Sequence, residues 1–157
     1  MLNRGKKSIE INLKNKSALN KIKNLIKTSD VLIEQFRPGV MKRLGLDWKN
    51  IKKINKKIVY CSITGYGQNG IKKNKAGHDI NYLAESGLLS LSTSENGTPV
   101  VPMSQIADIA GGSYPAFMNI LLALFKVQKT KLGCHLDISM YENLIPLAWL
   151  GLTNSFI

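Results

Sequence analysis

Two stretches of the chain carry residue types that can transfer protons, and the first is "AGHDINYLAESGLL" at 76–89. His78 and Asp79 stand side by side there, just after a glycine and just before a run with helical spacing. Imidazole and carboxyl groups are the usual general acids and bases of enzymes. In the alternative, structural interpretation, Asp79 caps the helix and His78 is an ordinary polar residue. The buried face of that helix would then consist of Ile80, Leu83, Ala84 and Leu88.

The second stretch, "QIADIAGG" at 105–112, places Asp108 in an otherwise apolar segment. A carboxylate there is either hydrogen-bonded within the fold or part of a site, because charged groups are seldom buried without a partner. The glycine pair that follows, Gly111 and Gly112, would let a backbone or a ligand approach closely. The residues alone leave both interpretations open.

Length and composition predict one soluble globular domain. The chain has 157 residues, of which 44% are hydrophobic and 20% charged, and a chain of this size can bury a genuine core. Its two cysteines, Cys61 and Cys134, have no paired spacing, which argues against a disulfide framework and against a metal site. We therefore expect a reducing, cytoplasmic setting.

Two classes of partner are disfavoured. The formal net charge is +12, but lysine supplies nearly all of the 22 cationic residues, whereas a nucleic-acid surface would typically add arginines and stacking aromatics. The N-terminus lacks the apolar core of a signal peptide. The longest apolar stretch, "YPAFMNILLALFKV", is interrupted by Asn119 and is too short to span a bilayer. We expect a core helix there, and neither nucleic acid nor membrane as a partner.

The hydrophobic pattern switches between strand and helix along the first half of the chain. It predicts a helix at 16–29 and strands at 8–13, 30–36 and 57–67. Two short helices are predicted before the third strand, the first with Pro38 in its first turn and Gly45 at its exit. Near the C-terminus, "CHLDISMYENLIPLAWL" is typical of a short strand leading into an apolar helix. This alternation predicts an α/β fold with a Rossmann-like parallel sheet and flanking helices.

Ligands of parallel sheets bind beyond the carboxyl ends of the strands. Two loops leave those ends, "QFRPGV" after the second predicted strand and "TGYGQNG" after the third. Neither has the glycine spacing of a P-loop or of a dinucleotide-binding fingerprint. The pattern therefore predicts a site at this edge of the sheet without identifying its ligand.

Six segments in order resemble the family III CoA-transferase (CaiB/BaiF) superfamily, and specifically its alpha-methylacyl-CoA racemase branch. They are "NRGKKSIEINLK", "DVLIEQFRPGVMKRLGLDW", "ITGYGQNG", "AGHDINYLAESG", "ADIAGG" and "LDISMYEN". The resemblance implies a Rossmann-like large domain, an acyl-CoA thioester substrate with no separate cofactor, and an interlocked homodimer. It also implies that residues 1–157 are a partial large domain, without the family's first strand and helix, most of its small domain and a supporting carboxylate from later sequence.

The same resemblance gives roles to the two proton-transferring stretches. In the racemase branch, the histidine of the "GHD" motif and the aspartate before the glycines are the acid–base pair, which maps onto His78 and Asp108. In the transferase branch that aspartate is the nucleophile and the histidine is typically absent, so the presence of His78 favours a racemase. Acid–base exchange requires a raised pKa at Asp108, for which "QIADIAGG" supplies an apolar surround. The alternatives are a CoA-transferase that needs only Asp108, and an inactive remnant with a basic surface.

CoA, by this resemblance, is bound by arginines and by glycine-rich backbone. Arg37 and Arg43 of "FRPGVMKR", with Arg4 of "NRGKKS" as a weaker candidate, lie where the family contacts the nucleotide and phosphates. A surface-turn role is the alternative for Arg37. The expected lining of the pantetheine channel is Gly65, Tyr66, Gly67 and Gln68, with Gly77 as a further CoA contact.

Overall fold

A three-stranded parallel sheet with the order β1-β2-β3 forms the centre of the molecule in a computed structural model, which describes residues 3–154. Its strands are β1 (Val31–Glu34), β2 (Val59–Thr64) and β3 (Cys134–Ser139), and its α-helices are α1 (Lys16–Thr28), α2 (Val40–Arg43), α3 (Trp48–Ile54), α4 (Asp79–Glu85), α5 (Tyr114–Thr130) and α6 (Trp149–Asn154). Shorter turns of 3₁₀ helix cover Leu88–Leu91 and Glu142–Ala148, and a π-helical segment covers Ala107–Ser113. The α/β fold with a parallel sheet is confirmed.

One face of the sheet packs against the helices that come before β2. Helix α1 begins where the side chain of Asn15 accepts the backbone N–H of Ser17 at 2.8 Å, so an N-cap fixes its first residue. From α1, Ile26 meets Ile51 of α3 and the buried ring of Tyr60 on β2. The helix predicted at 16–29 is confirmed, as is the exit of α2 at Gly45, whose φ of 67° requires the left-handed region.

The opposite face packs against α5. Cys61 and Ile63 of β2 contact the inner side of the helix, where Ala116, Ile120 and Ala123 are buried. The outer side of α5 exposes large apolar side chains, which are Tyr114, Phe117, Met118, Leu121, Leu122 and Phe125. The expectation of a core helix is therefore met on one side only.

The length argument against a membrane span was wrong. With the π-helical segment, α5 forms one helix of 24 residues, Ala107–Thr130, which is long and apolar enough to cross a membrane. The core helices of soluble proteins pass the same test, so this is weak evidence for a span. Its contacts with the sheet are those of a packed helix.

The strand predicted at 8–13 is absent from the structure. Residues 8–13 have no strand assignment, and Ile9 is 59% exposed. An alternating pattern becomes a strand only when a neighbouring strand supplies hydrogen bonds, and among residues 3–154 the edge strand β1 pairs with β2 alone.

Two smaller predictions are also corrected. Helix α2 begins at Val40, after Gly39 at φ 85°, so Pro38 precedes the helix instead of lying in its first turn. The chain after β3 first forms 3₁₀ turns, with Pro146 inside them, and becomes α-helical at Trp149.

Candidate functional site

A cavity of about 490 Å³ lies at the carboxyl ends of the strands. Its wall includes His78 and Asp108 together with Arg37, so three residues predicted from separate motifs share one space. Further lining comes from Thr64, Gly65, Tyr66, Lys73, Asn74, Lys75, Gly77 and Tyr82. The position agrees with the rule that parallel sheets bind ligands at this edge.

Asp108 lies in the π-helical segment, and its backbone is held by a neighbouring carboxylate. Its N–H donates to Oδ1 of Asp79 at 2.9 Å, while its carbonyl accepts the Ser113 hydroxyl at 3.0 Å. Burial, followed by the charge of Asp79, raises the pKa of the Asp108 carboxyl, and the charge of His78 lowers it by less. The raised pKa expected from the apolar surround is confirmed, with Asp79 as an additional cause.

The capping prediction for Asp79 was wrong. His78 occupies the N-cap position of α4, its backbone N–H donates to Oδ1 of Asn81 at 2.9 Å, and its side chain is exposed. Asp79 instead reaches across to the backbone of Asp108. The carboxylate beside the histidine therefore holds the backbone of Asp108.

The predicted buried face of α4 also needs correction. Leu83 is buried, but Ile80 is 42% exposed and Ala84 is exposed as well. Leu88 is only partly buried, and it lies beyond the end of the helix. The residue that α4 buries beside Leu83 is Tyr82, because this seven-residue helix packs through two adjacent side chains instead of a stripe.

The ring of Tyr82 leaves no room for a side chain at Gly65 or Gly77, two of the predicted CoA contacts. Its hydroxyl donates to the carbonyl of Gly77 at 2.6 Å. A Cβ at Gly77 would lie 2.7 Å from Cε1 of the Tyr82 ring, and a Cβ at Gly65 would collide with the same ring. Both glycines line the cavity, so packing against Tyr82 and contact with a ligand are compatible roles.

The loop between β2 and α4 is fixed by the carboxylate of Glu85. This carboxylate accepts the Tyr66 hydroxyl at 2.6 Å and forms ion pairs with Lys72 at 2.9 Å and Lys75 at 2.8 Å. Hydrogen bonds from Lys72, Lys75 and Tyr66 lower the pKa of Glu85 to about 2. Lys73 lies in the same loop, is exposed and lines the cavity.

The Arg37 loop is positioned from the end of β1. Glu34 is buried, and its Oε2 accepts the backbone N–H of Phe36 at 2.9 Å, which turns the chain so that residues 35–38 line the cavity. Arg43 lies at the end of α2, and Arg4 lies in a turn near the N-terminus; both are exposed, and neither lines this cavity. Their CoA contacts stay predictions.

Gly67 and Gln68 do not line the cavity that contains His78 and Asp108. The backbone N–H of Gln68 donates to both carboxylate oxygens of Asp137 at 3.0 Å, and Gly67 has a φ of 78°, which favours glycine. Gln68 lines a second cavity of about 380 Å³, together with His135. The structure shows these backbone contacts, and the CoA contacts of Gly67 and Gln68 stay predictions.

Three residues that line the cavity were assigned no role from the sequence, although two of them lie within segments that the prediction used. They are Thr64, Tyr82 and Lys73. The glycines at 65 and 77 were the available signal for Tyr82, because a large ring packs where two glycines make room. Across residues 3–154 there is no group of three or more histidine, cysteine or acidic side chains that could hold a metal ion.

The architecture defines an α/β domain with a histidine, an aspartate and an arginine in one cavity at the carboxyl ends of its parallel strands. The chain belongs to CoA-transferase family III, whose family model matches residues 1–154.

Known members of this family include both racemases and transferases. The chain is 40% identical over 141 residues to human alpha-methylacyl-CoA racemase, and this match covers 90% of the chain and 37% of that enzyme. It is 39% identical over 142 residues to human succinyl-CoA:glutarate CoA-transferase, with 90% of the chain and 32% of that enzyme covered. The crystal structure of a CAIB/BAIF family protein from Brucella suis matches with a TM-score of 0.90 at 29% identity, covering 97% of this chain and 40% of that one. The chain thus spans well under half the length of each of these proteins.

Proposed function

We propose that this chain supplies the acid–base pair of an enzyme that inverts the α-carbon of 2-methylacyl-CoA thioesters. The observation that carries the proposal is that His78 and Asp108 line the same cavity. Inversion requires one group to remove the α-proton from one face and a second group to return a proton to the other. The two residues come from different elements, the start of α4 and the π-helical segment, so they can approach a bound carbon from different directions.

The raised pKa of Asp108 suits this exchange. Removal of the α-proton leaves an enolate, whose carbon then takes a proton from the opposite group, and the reverse direction exchanges the two roles. A carboxyl group can act as the acid near neutral pH only if its pKa is raised. Burial and the charge of Asp79 raise the pKa of Asp108, which supports this role.

The CoA part of the substrate would meet cations at the rim of the cavity. Arg37 and Lys73 are both exposed and both line it. A guanidinium fork pairs well with phosphate oxygens, and the lysine adds a point charge. The interlocked homodimer and the cytoplasmic setting belong to this proposal as expectations of the resemblance.

Loss of inversion in a histidine variant tests the proposal. The full-length protein should interconvert the two configurations of a 2-methylacyl-CoA, and His78→Gln should slow that inversion by about a hundred- to ten-thousand-fold, the usual contribution of a general acid or base. His135→Gln is the matched control, because His135 lines the second cavity, where its ring bonds to Ser62 at 3.0 Å. An inversion rate within a few-fold of wild type in His78→Gln would contradict the role of His78.

A CoA-transferase is the second candidate function. The similarity to human succinyl-CoA:glutarate CoA-transferase supports it, as does the position of Asp108 in the cavity wall. In that reaction the Asp108 carboxylate attacks the thioester carbonyl to form a mixed anhydride and release CoA thiolate, which then attacks the aspartyl carbonyl to give an enzyme-bound CoA thioester and a free carboxylate. This reaction needs no second proton-transferring residue, so the His78 variants separate the two functions.

A further inference from the structure

Thr64 is a buried hydroxyl in the cavity wall that lacks a hydrogen-bond partner. It is the last residue of β2, its side chain is 8% exposed, and Oγ1 has no partner among the residues that the structure describes. Other buried hydroxyls are paired: Ser62 bonds to His135 at 3.0 Å, and Ser86 donates to the carbonyl of Leu83 at 3.1 Å. Because an unpaired buried hydroxyl destabilises the fold, an unpaired one in a cavity wall indicates a bound partner.

The strand register leaves Thr64 beyond the end of β1, among the residues that line the cavity. β1 ends at Glu34, opposite Ser62, so β2 continues for two residues beyond its neighbour on that side. On the other side, the carbonyl of Thr64 accepts the N–H of Met140 at 2.9 Å, which fixes the backbone. The backbone of Thr64 is therefore held by β3, and its buried hydroxyl lies in the wall of the cavity.

We propose that the Thr64 hydroxyl binds an amide group of the pantetheine arm of the acyl-CoA substrate. This inference rests on the proposed function, because it assumes that CoA occupies the cavity. The polar groups of such a substrate are phosphates, amides and a thioester. The exposed cations Arg37 and Lys73 suit the phosphates, and His78 and Asp108 are assigned to the carbon beside the thioester. A buried neutral hydroxyl, which both donates and accepts, matches an amide, which does the same.

Two substitutions at this position test the inference on the full-length protein. Thr64→Val keeps the shape and removes the hydroxyl, while Thr64→Ser keeps the hydroxyl. Calorimetry with CoA and with pantetheine should show about tenfold weaker binding of both ligands to Thr64→Val, the effect of one hydrogen bond. Thr64→Ser should bind both within about threefold of wild type. Without ligand, Thr64→Val should melt at or above the wild-type temperature, because no protein hydrogen bond is lost.

The results that would overturn this inference differ from those that would overturn the proposed function. Binding of both ligands to Thr64→Val within twofold of wild type would overturn the inference, as would a loss confined to CoA, which would assign the hydroxyl to the phosphates. A lower melting temperature of ligand-free Thr64→Val would show a structural role and overturn it as well. If wild-type protein binds neither ligand, the proposed function itself fails; if wild type binds both and Thr64→Val binds equally, only this inference fails.

Discussion

Replacing Tyr82 by phenylalanine should slow the chemistry of the cavity by loosening the backbone in front of His78. The ring of Tyr82 is 5% exposed, and its hydroxyl donates to the carbonyl of Gly77 at 2.6 Å. Phenylalanine keeps the edge-on contact with Tyr66, whose ring centroid lies 5.2 Å away, but leaves that carbonyl without its partner. The free energy of unfolding should fall by about 1–2 kcal/mol. If the proposed role of His78 is right, its mispositioning should raise the activation free energy by a similar amount. The rate of α-proton exchange should then fall about tenfold.

A second tyrosine provides the matched control. Tyr60 is 2% exposed, and its hydroxyl donates to the carbonyl of Leu46 at 3.1 Å, outside the cavity that contains His78. Tyr60→Phe should lose a similar free energy of unfolding, measured by urea denaturation, while its rate of deuterium exchange stays at the wild-type value. The reasoning is refuted if Tyr82→Phe keeps the wild-type exchange rate despite its lower stability, or if Tyr60→Phe slows exchange equally.

The other predictions concern charge, close packing and phosphate binding. Because burial and a neighbouring carboxylate raise the pKa of Asp108, its ionisation lowers the stability of the fold as the pH rises. Asp108→Asn should therefore have a higher melting temperature than wild type at pH 7, and the difference between the two melting temperatures should shrink in acid. Removing the charge of Glu85, whose pKa is lowered to about 2, should have the opposite effect on the melting temperature. Glu85→Gln should melt below wild type at pH 7, and this difference should also shrink in acid. Gly111→Ala should lower the free energy of unfolding, measured by urea denaturation, by about 1–3 kcal/mol, because its Cβ would meet a backbone carbonyl. In Gly112→Ala the Cβ would meet a flexible methionine side chain, and the change should stay within about 1 kcal/mol. Equal losses of stability in the two variants would contradict this reasoning. Arg37→Ala should weaken CoA binding about tenfold in calorimetry and leave pantetheine within twofold, and equal losses would remove its phosphate role.

The parts of the fold that local signals determine were predictable. Helix α1 follows from its apolar spacing and from the cap at Asn15, and the buried strand β2 follows from a short, mostly apolar run that begins at Ile58. The glycine pair after Asp108 was expected to admit a backbone or a ligand, and the structure shows a backbone, since a Cβ at Gly111 would collide with the carbonyl of Met140. Residues 8–13 show where local signals fail, because alternation cannot supply a partner strand.

The contacts that shape the site join residues far apart in sequence. Asp79 and the backbone of Asp108 are 29 positions apart, and no spacing rule links a carboxylate to a distant N–H. The missing partner of Thr64 is likewise a property of the folded cavity, because any threonine at the end of a strand has the same local pattern. Motifs therefore indicated the candidate residues for the chemistry, whereas the residues that position them required the structure.

One experiment tests the central claim most directly, because it compares proton exchange with covalent chemistry in a single sample. Full-length protein is incubated in D₂O with a 2-methylacyl-CoA; half of the sample is analysed for deuterium at the α-carbon, and half is treated with hydroxylamine or borohydride and examined by mass spectrometry at Asp108. The account predicts α-deuteration and no trappable CoA adduct. A CoA thioester at Asp108 without α-deuteration would contradict it and identify a transferase.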